Sequence, residues 1–573
     1  MENRDIARMF ERVADLLEIQ GANPFRIRAY RTASLTIEGI ATPLASLIGQ
    51  DDGKALQKLP GIGKDLAGKI VTIVRTGSLP LLAELSRHTP ESLVTLLQIP
   101  GLGPKRAKLV HEALGVETID QLQAAAAAGR LGRIRGFGKA TEQSILRAIE
   151  QSRLKQVRLR LTEAEAIVRP LVESLRRVPG VERLEIAGSF RRRLETVGDI
   201  DILVSASDPA PVVDTLTRHP SVVTVQASGD TKCSVVLRRS LQVDLRIVPA
   251  DSFGAALQYF TGSQAHGVAV RTIAVKRGLK LNEYGVFRGD ERIAGREEED
   301  VYRAVDLPWI PPELRENRGE VEASAAGRLP RLVEVADIRG DLQMHTTSSD
   351  GRHTLEQMAV TAEARGYDYI GITDHTQSLR IAGGMSADGF RRQFHAIEAL
   401  QKRLETLTIL KSAEVDILED GSLDLDEATL AELDVVVIAV HSRFQLPKEA
   451  QTRRIVRAMQ HPAANILAHP TGRRLNRREP YPVEMREIIA AARDSGVLLE
   501  MNATPERLDL NDAHAAMARE AGVKLVISTD AHRMHELDWM RHGVDQARRA
   551  WCEPQHIANT RPLAEFRKLL RKR

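Results

Sequence analysis

Gly188-Ser189-Phe190-Arg191-Arg192-Arg193-Leu194-Glu195-Thr196-Val197-Gly198-Asp199-Ile200-Asp201 is the stretch that decides how this chain is read. Leu184 to Ala187 is a short apolar run ending at Gly188-Ser189, where the chain turns and backbone N–H groups become free to hold an anion. Arg192 adds a guanidinium fork. Gly198 then leads into Asp199-Ile200-Asp201-Ile202-Leu203-Val204, a strand pattern whose period of two puts both carboxylates on one face. A second strand pattern, Leu241 to Val248, offers Asp244 as a third carboxylate. Three acids on adjacent strands can hold two Mg²⁺ ions for in-line displacement at phosphorus, so the stretch predicts phosphoryl transfer. The plainer alternative is a turn followed by solvated acids at a strand entrance.

Gly-Ser-x-Arg-Arg followed by Gly-Asp-x-Asp resembles the palm of family X DNA polymerases, within the nucleotidyltransferase fold. The resemblance implies that Gly188, Ser189, Arg192 and Gly198 bind the nucleotide triphosphate and that Asp199, Asp201 and Asp244 are catalytic ligands of Mg²⁺. It continues through Ala256-Leu257-Gln258-Tyr259-Phe260-Thr261-Gly262-Ser263, which is similar to the family's thumb. There Tyr259, Phe260 and Gly262 are implied to contact the nucleotide, and Arg271 the template strand. Gln264 and Gly267 depart from the family pattern, which has an acidic residue and an asparagine at these positions.

At 573 residues the chain exceeds one core, since domains average roughly 150 residues. Lys plus Arg outnumber Asp plus Glu by 81 to 77, so a nucleic-acid surface has to be local. Two distant cysteines, Cys233 and Cys552, give no disulfide framework and fit a reducing compartment. No apolar signal region or spanning run occurs, and the expectation is a cytoplasmic monomer without membrane contact.

Residues 1 to about 150 follow a helical pattern with three similar breaks: Leu59-Pro60-Gly61-Ile62-Gly63, Ile99-Pro100-Gly101-Leu102-Gly103 and Ile134-Arg135-Gly136-Phe137-Gly138. Each leads into a helix with basic residues and resembles a helix-hairpin-helix turn, which binds the DNA backbone without reading bases. The candidate DNA contacts are Arg26, Tyr30, Gly61, Gly63, Lys64, Gly101, Gly103, Lys105, Gly136, Gly138 and Lys139. The first unit also resembles the family's lyase domain, which places Lys69 at the Schiff-base position and implies possible 5′-deoxyribose phosphate lyase or AP endonuclease activity. A basic residue is common in the family where Asp65 stands.

From Asp337 onward, short apolar strands alternate with amphipathic helices, the pattern of a parallel β/α architecture. Six of these runs end in metal-ligand residues, at His345, at His375, at Glu414, at His441, at His469 and at Asp530 with His532. A barrel brings strand C-termini to one mouth, and imidazole with carboxylate suits Zn²⁺, Mn²⁺ or Fe²⁺. The arrangement resembles the PHP (polymerase and histidinol phosphatase) domain, a distorted β/α barrel. By that resemblance Gln343, His345, Glu414 and Asp530 surround one ion, Glu414 bridges to a second held by His441 and His469, and Asp350, His375 and His532 hold a third. The family pattern has histidine where Gln343 stands. Arg380, Arg443 and Arg473 follow strand ends and are candidates to hold phosphate.

The expected organisation is a helical lyase-like domain over 1–85, a helical DNA-binding domain over 86–154, an α/β nucleotidyltransferase palm over 155–250, a thumb over 251–318, a linker over 319–336 and a PHP barrel over 337–573. The whole resembles bacterial and archaeal family X DNA polymerases with a C-terminal PHP domain. That resemblance implies dNTP-dependent filling of gapped or nicked double-stranded DNA in base excision repair, with Mg²⁺ in the palm. It also implies a 3′–5′ exonuclease in the barrel with up to three Mn²⁺ or Zn²⁺ ions. Two alternatives are a DNA-end-binding scaffold with impaired centres and a nucleotidyltransferase acting on RNA or a small molecule.

Overall fold

The computed structural model describes residues 3–38, 44–48, 53–90, 92–97, 99, 102–134, 136–155 and 158–570. Among them no single helix is long and apolar enough to cross a membrane.

The N-terminal helices form two apolar cores. Phe10, Tyr30, Ile37 and Ile70 centre the first; Leu102, Val110, Leu122 and Ile145 centre the second. Each glycine break is followed by a helix: Lys64–Thr76, Pro104–Leu114 and Lys139–Lys155. At the first break Gly61 has a φ of +75°, and a Cβ there would lie 2.6 Å from Thr32, so only glycine makes this turn without strain. Gly101 lies outside the described residues.

The palm is a five-stranded sheet in the order Val181–Ile186, Asp199–Ala206, Gln242–Ile247, Lys232–Leu237, Val222–Ser228. Only the pair 199–206 and 242–247 is parallel. Alternation along 199–206 sends Ile200, Ile202 and Val204 into a core with the helices Leu161–Arg176 and Pro209–Thr217. Leu203 packs instead with Phe253 and Leu257 of the helix Phe253–Thr261. Asp199 and Asp201 share that second face, toward the thumb.

The thumb packs Gln264–Lys276 and Glu298–Ala304 with a three-stranded antiparallel sheet over 280–294. The stretch expected to be an aperiodic linker behaves differently. It contains a helix, Glu320–Ala325, whose Glu320 is buried and accepts from His266 Nδ1 at 2.7 Å. This buried hydrogen bond, invisible to periodicity, and Val321 in the thumb's apolar core tie this segment to the thumb.

Seven parallel strands follow in sequence order from Gly340–Asp341 to Leu525–Ser528. The Met344 and Ala531 bridge, with His345 N donating to Ala531 O at 2.8 Å, joins the first segment to the last and nearly closes a barrel. Its strands are buried on both faces, as parallel strands covered by helices must be. Leu342, Tyr369, Val437 and Val526 share one apolar cluster, which Phe566 of the last helix, Leu563–Leu569, joins by stacking on Tyr369, the first residue of its strand. The mouth at the strand C-termini is left to polar side chains.

Polar contacts join the barrel to palm and thumb. Arg473 pairs with Glu195 at 2.8 Å, Arg541 with Glu165 at 2.8 Å and Arg318 with Asp512 at 2.9 Å. Arg549 donates to the carbonyl of Arg192 at 2.8 Å and to Glu316 at 3.1 Å.

Candidate active sites in the palm and the barrel

The parallel register sets Asp201 directly beside Asp244. Asp244 accepts from Ser234 and, at 2.8 Å, from Gln242 Nε2, which turn it toward the sheet. Burial, with Asp199 and Asp244 alongside, pushes the Asp201 carboxyl up to about 7. Crowded carboxylates of this kind are relieved by a cation, and the all-oxygen donor set fits a hard divalent ion.

Gly188 has a φ of +63°, and a Cβ on it would come within 2.6 Å of Asp201 Oδ2. The anion turn and the carboxylate are thus packed against each other. Gly188→Ala is expected to cut nucleotide incorporation by roughly 10-fold or more, since strained backbone costs about 1–3 kcal/mol and the methyl also displaces Asp201. Primer-extension kcat with the fold checked by circular dichroism measures this.

These residues open onto a cavity of about 650 Å³ lined by Gly188, Ser189, Arg192, Asp199, Asp201, Tyr259, Phe260, Gly262 and Arg271. Gln264 and Gly267 also line it. Tyr259 and Phe260 meet edge to face at 5.1 Å, with the Arg246 guanidinium 4.4 Å from the Phe260 ring. Arg192 donates to the Thr261 carbonyl at 2.5 Å and to Glu316 at 3.0 Å, so it links the turn to the thumb. Asp244 and Gly198 stand behind the cavity rather than in its lining.

Lys69 goes against the lyase expectation. Its amine pairs with Asp65 and lies 5.7 Å from the Tyr30 ring. Burial favours the neutral amine, but hydrogen bonding to Asp65 and Tyr30 outweighs it and raises the pKa. A protonated amine is no nucleophile, so this setting does not support Schiff-base chemistry. Asp65, the departure visible in the sequence, is the cause.

In the barrel, Glu414 is the hub. Its Oε1 lies 2.9 Å from His469 Nε2 and 3.3 Å from His441 Nε2; its Oε2 lies 3.2 Å from His375 Nδ1 and 3.5 Å from His345 Nε2. Asp530 reaches His345 Nε2 at 3.1 Å, and Asp350 reaches His532 Nε2 at 3.3 Å. Three groups of potential ligand atoms converge within 4.8 Å: His345, Asp350, His375 and His532; His375, Glu414 and His441; His345, Glu414 and Asp530. The grouping differs from the expected one, because His375 is shared between two groups, His345 also belongs with Asp350, and His469, expected beside His441, falls in none of the three.

Nδ1 of His345, of His375 and of His469, and Glu414 Oε2, are buried without hydrogen-bond partners, as are both amide atoms of Gln343. Buried polar atoms left this way indicate missing partners, and the nitrogen and oxygen donors fit divalent ions. Supporting residues escaped the sequence reading. Asp416 accepts from His441 Nδ1 at 2.5 Å, Glu500 accepts from the His469 backbone at 2.7 Å, and Asn502 donates to Asp530 at 3.1 Å. Asp416 and Asn502 end or prolong their strands, the one available signal.

The arginine expectations need correcting. Arg473 is spent on Glu195 and the Leu508 carbonyl, and Arg443 pairs with Glu419 at 3.0 Å on the surface. Neither these nor Arg380 line the barrel cavity, whereas Arg352, Arg474, Arg478 and Arg507 do.

Residues 256–316 match the family described as DNA polymerase beta thumb, residues 1–79 a helix-hairpin-helix domain, and residues 93–151 a SAM-like helix-hairpin-helix tandem. The chain is 38% identical, over the full length of both proteins, to the DNA polymerase/3′-5′ exonuclease PolX of Bacillus subtilis. This chain is a family X DNA polymerase of the PolX type. The two halves of this PolX protein have separate relatives. DNA polymerase lambda of Rattus norvegicus is 25% identical over 55% of the chain and 56% of its own length. A probable phosphatase of Thermoanaerobacter is 27% identical over 38% of the chain and 89% of its own length. A PolX chain therefore joins helix-hairpin-helix modules and a polymerase unit to a phosphatase-like barrel, and the family implies divalent metal ions and DNA.

Proposed function

We propose that this PolX protein fills short gaps in DNA by template-directed addition of dNTPs, and that its barrel removes nucleotides from 3′ ends. The observation that carries the first half is the packing of Gly188 against Asp201 in a cavity closed by Tyr259, Phe260 and Gly262. In this reading Asp199, Asp201 and Asp244 hold two Mg²⁺ ions. Bound divalent ions supply charge neutralisation for the triphosphate and for the attacking and leaving oxygens. The Gly188-Ser189 backbone and Arg192 orient the triphosphate. Tyr259 and Phe260 present an aromatic wall to the sugar, and Gly262 lets the backbone approach it. Arg271, 5.8 Å from the Tyr259 ring, faces the same cavity and supports a template contact.

The helix-hairpin-helix turns and Arg26, Lys64, Lys105 and Lys139 serve gapped DNA, with Gly63, Gly103, Gly136 and Gly138 at the starts of the helices that meet it; Tyr30, expected among these contacts, is instead buried in the first helical core. Lyase chemistry at Lys69 has no support from its surroundings. In the barrel, His345, Asp350, His375, Glu414, His441, His469, Asp530 and His532 hold Mn²⁺ or Zn²⁺, with Gln343 as a further oxygen donor. Asp416 fixes the tautomer of His441 by taking its Nδ1 proton in a hydrogen bond. Scaffold function has less behind it, since both constellations keep complete carboxylate sets.

A duplex with a one-nucleotide gap, given each dNTP separately with Mg²⁺, tests the reading. Only the dNTP complementary to the template base is expected to be added; untemplated addition or none defeats the proposal.

A further inference from the structure

The barrel cavity, about 880 Å³, has an acidic and imidazole floor but a basic wall. Arg474, Arg478 and Arg507 form that wall from two segments. Arg478 lies 4.2 Å from the Phe444 ring and donates to the Gly472 carbonyl at 2.6 Å. Arg507 approaches Asp530 at 3.5 Å. Arg474 and Arg478 have no carboxylate within ion-pair distance among the described residues, and neither touches a floor residue. Burial and the charge of Arg507 hold both guanidinium groups below the ordinary arginine range. Arg507 is buried, Arg478 partly buried and Arg474 exposed at the rim, and like charges gathered around one cavity are relieved when an anion joins them.

Both segments are held by the short strand Leu159–Arg160, which pairs with Thr196–Val197 outside the five-stranded palm sheet, and by its neighbour Arg158. Asn476, between the first two arginines, donates to the Arg158 carbonyl at 2.8 Å. Glu506, next to Arg507, pairs with Arg160 at 2.9 Å, and Glu163 takes the other end of that guanidinium at 2.9 Å. Arg160 is thereby neutralised and acts as a strut. The positive charge of the wall comes from the barrel, its placement from the palm.

We propose that Arg474, Arg478 and Arg507 form a subsite for a backbone phosphate of the strand being trimmed, distinct from the phosphate that is cleaved, positioned by Arg158 and Arg160 of the palm. The cleaved phosphate belongs at the floor, with the ligand groups. A strand running out of the cavity carries further phosphates past the wall, and a guanidinium fork matches their oxygens. A small phosphate monoester has nothing to place there, so the subsite selects polynucleotide chains. This inference rests on the nuclease reading of the barrel.

The test uses 5′-labelled oligonucleotides with Mn²⁺, all-phosphate or with one neutral methylphosphonate at one of the three linkages preceding the terminal one. For the wild type, one of these positions is expected to raise KM roughly 10-fold with kcat little changed, the loss of one charge-assisted hydrogen bond. Arg474→Ala is expected to raise KM for the all-phosphate strand by a similar factor, with no further rise from that methylphosphonate, and Arg474→Lys to recover part of the loss. Gap filling by the same preparations checks folding. A wild-type KM in Arg474→Ala, or an undiminished methylphosphonate penalty in it, overturns the subsite while leaving the nuclease reading intact. Absence of trimming by the wild type, or trimming that survives His469→Ala, overturns the nuclease reading and the subsite with it.

Discussion

Asp201→Ala is expected to abolish gap filling, lowering kcat by about 10³-fold or more, while 3′ trimming continues at its usual rate. The size follows from losing one of the three carboxylates that would hold the ions, where several kcal/mol of charge stabilisation are at stake and each 1.36 kcal/mol is about tenfold in rate. The direction is specific to this residue. Asp201 is partly buried in the cavity wall, flanked by Asp199 and Asp244, and touches the anion turn through Gly188. Removing it relieves like-charge crowding, so the palm is expected to be at least as stable, and the loss of rate has no folding explanation. Single-turnover extension of a gapped primer measures the effect, with thermal unfolding alongside.

His469→Ala is expected to act in the opposite compartment. The imidazole is buried, meets Glu414 at 2.9 Å and is set by its own backbone bond to Glu500. Without it Glu414 loses a partner at the centre of the ligand group, and Mn²⁺-dependent trimming is expected to fall by about 10²-fold or more, in line with several kcal/mol from a catalytic ion. Arg473, which carries the contact with the palm through Glu195, is untouched. Gap filling is therefore expected to stay within a factor of about two, as additivity holds for sites without shared partners. Shortening of a 5′-labelled strand gives the first number, and dNTP addition the second.

The palm was legible because strand periodicity alone puts Asp199 and Asp201 on one face, and the glycines mark the turn that approaches them. The barrel ligands were legible because each ends an apolar run, and strand ends of a barrel share a mouth. What periodicity cannot show is which of many charged residues points inward. Arg443 and Arg473 follow strand ends as Arg474 does, yet one is paired on the surface, one is buried against Glu195, and the third lines the cavity. The roles of Asp416, Glu500 and Asn502 come from bonds across strands, which no linear pattern carries. The segment 319–326 looked aperiodic because its anchors are the buried hydrogen bond of His266 with Glu320 and the single apolar Val321 rather than an apolar stripe. Lys69 stands on its helix as expected, but its pairing with Asp65 one turn earlier is a contact that position along the chain did not assign.

In the proposed function one chain carries two independent phosphoryl-transfer centres, one adding nucleotides and one removing them. The most direct measurement follows a 5′-labelled primer in a gapped duplex, with Mg²⁺ and dNTPs or with Mn²⁺ alone, for the wild type, Asp201→Ala and His469→Ala side by side. The prediction is a double dissociation: the wild type extends and shortens, Asp201→Ala only shortens, and His469→Ala only extends. Loss of both activities in either variant, or of neither in both, would contradict it.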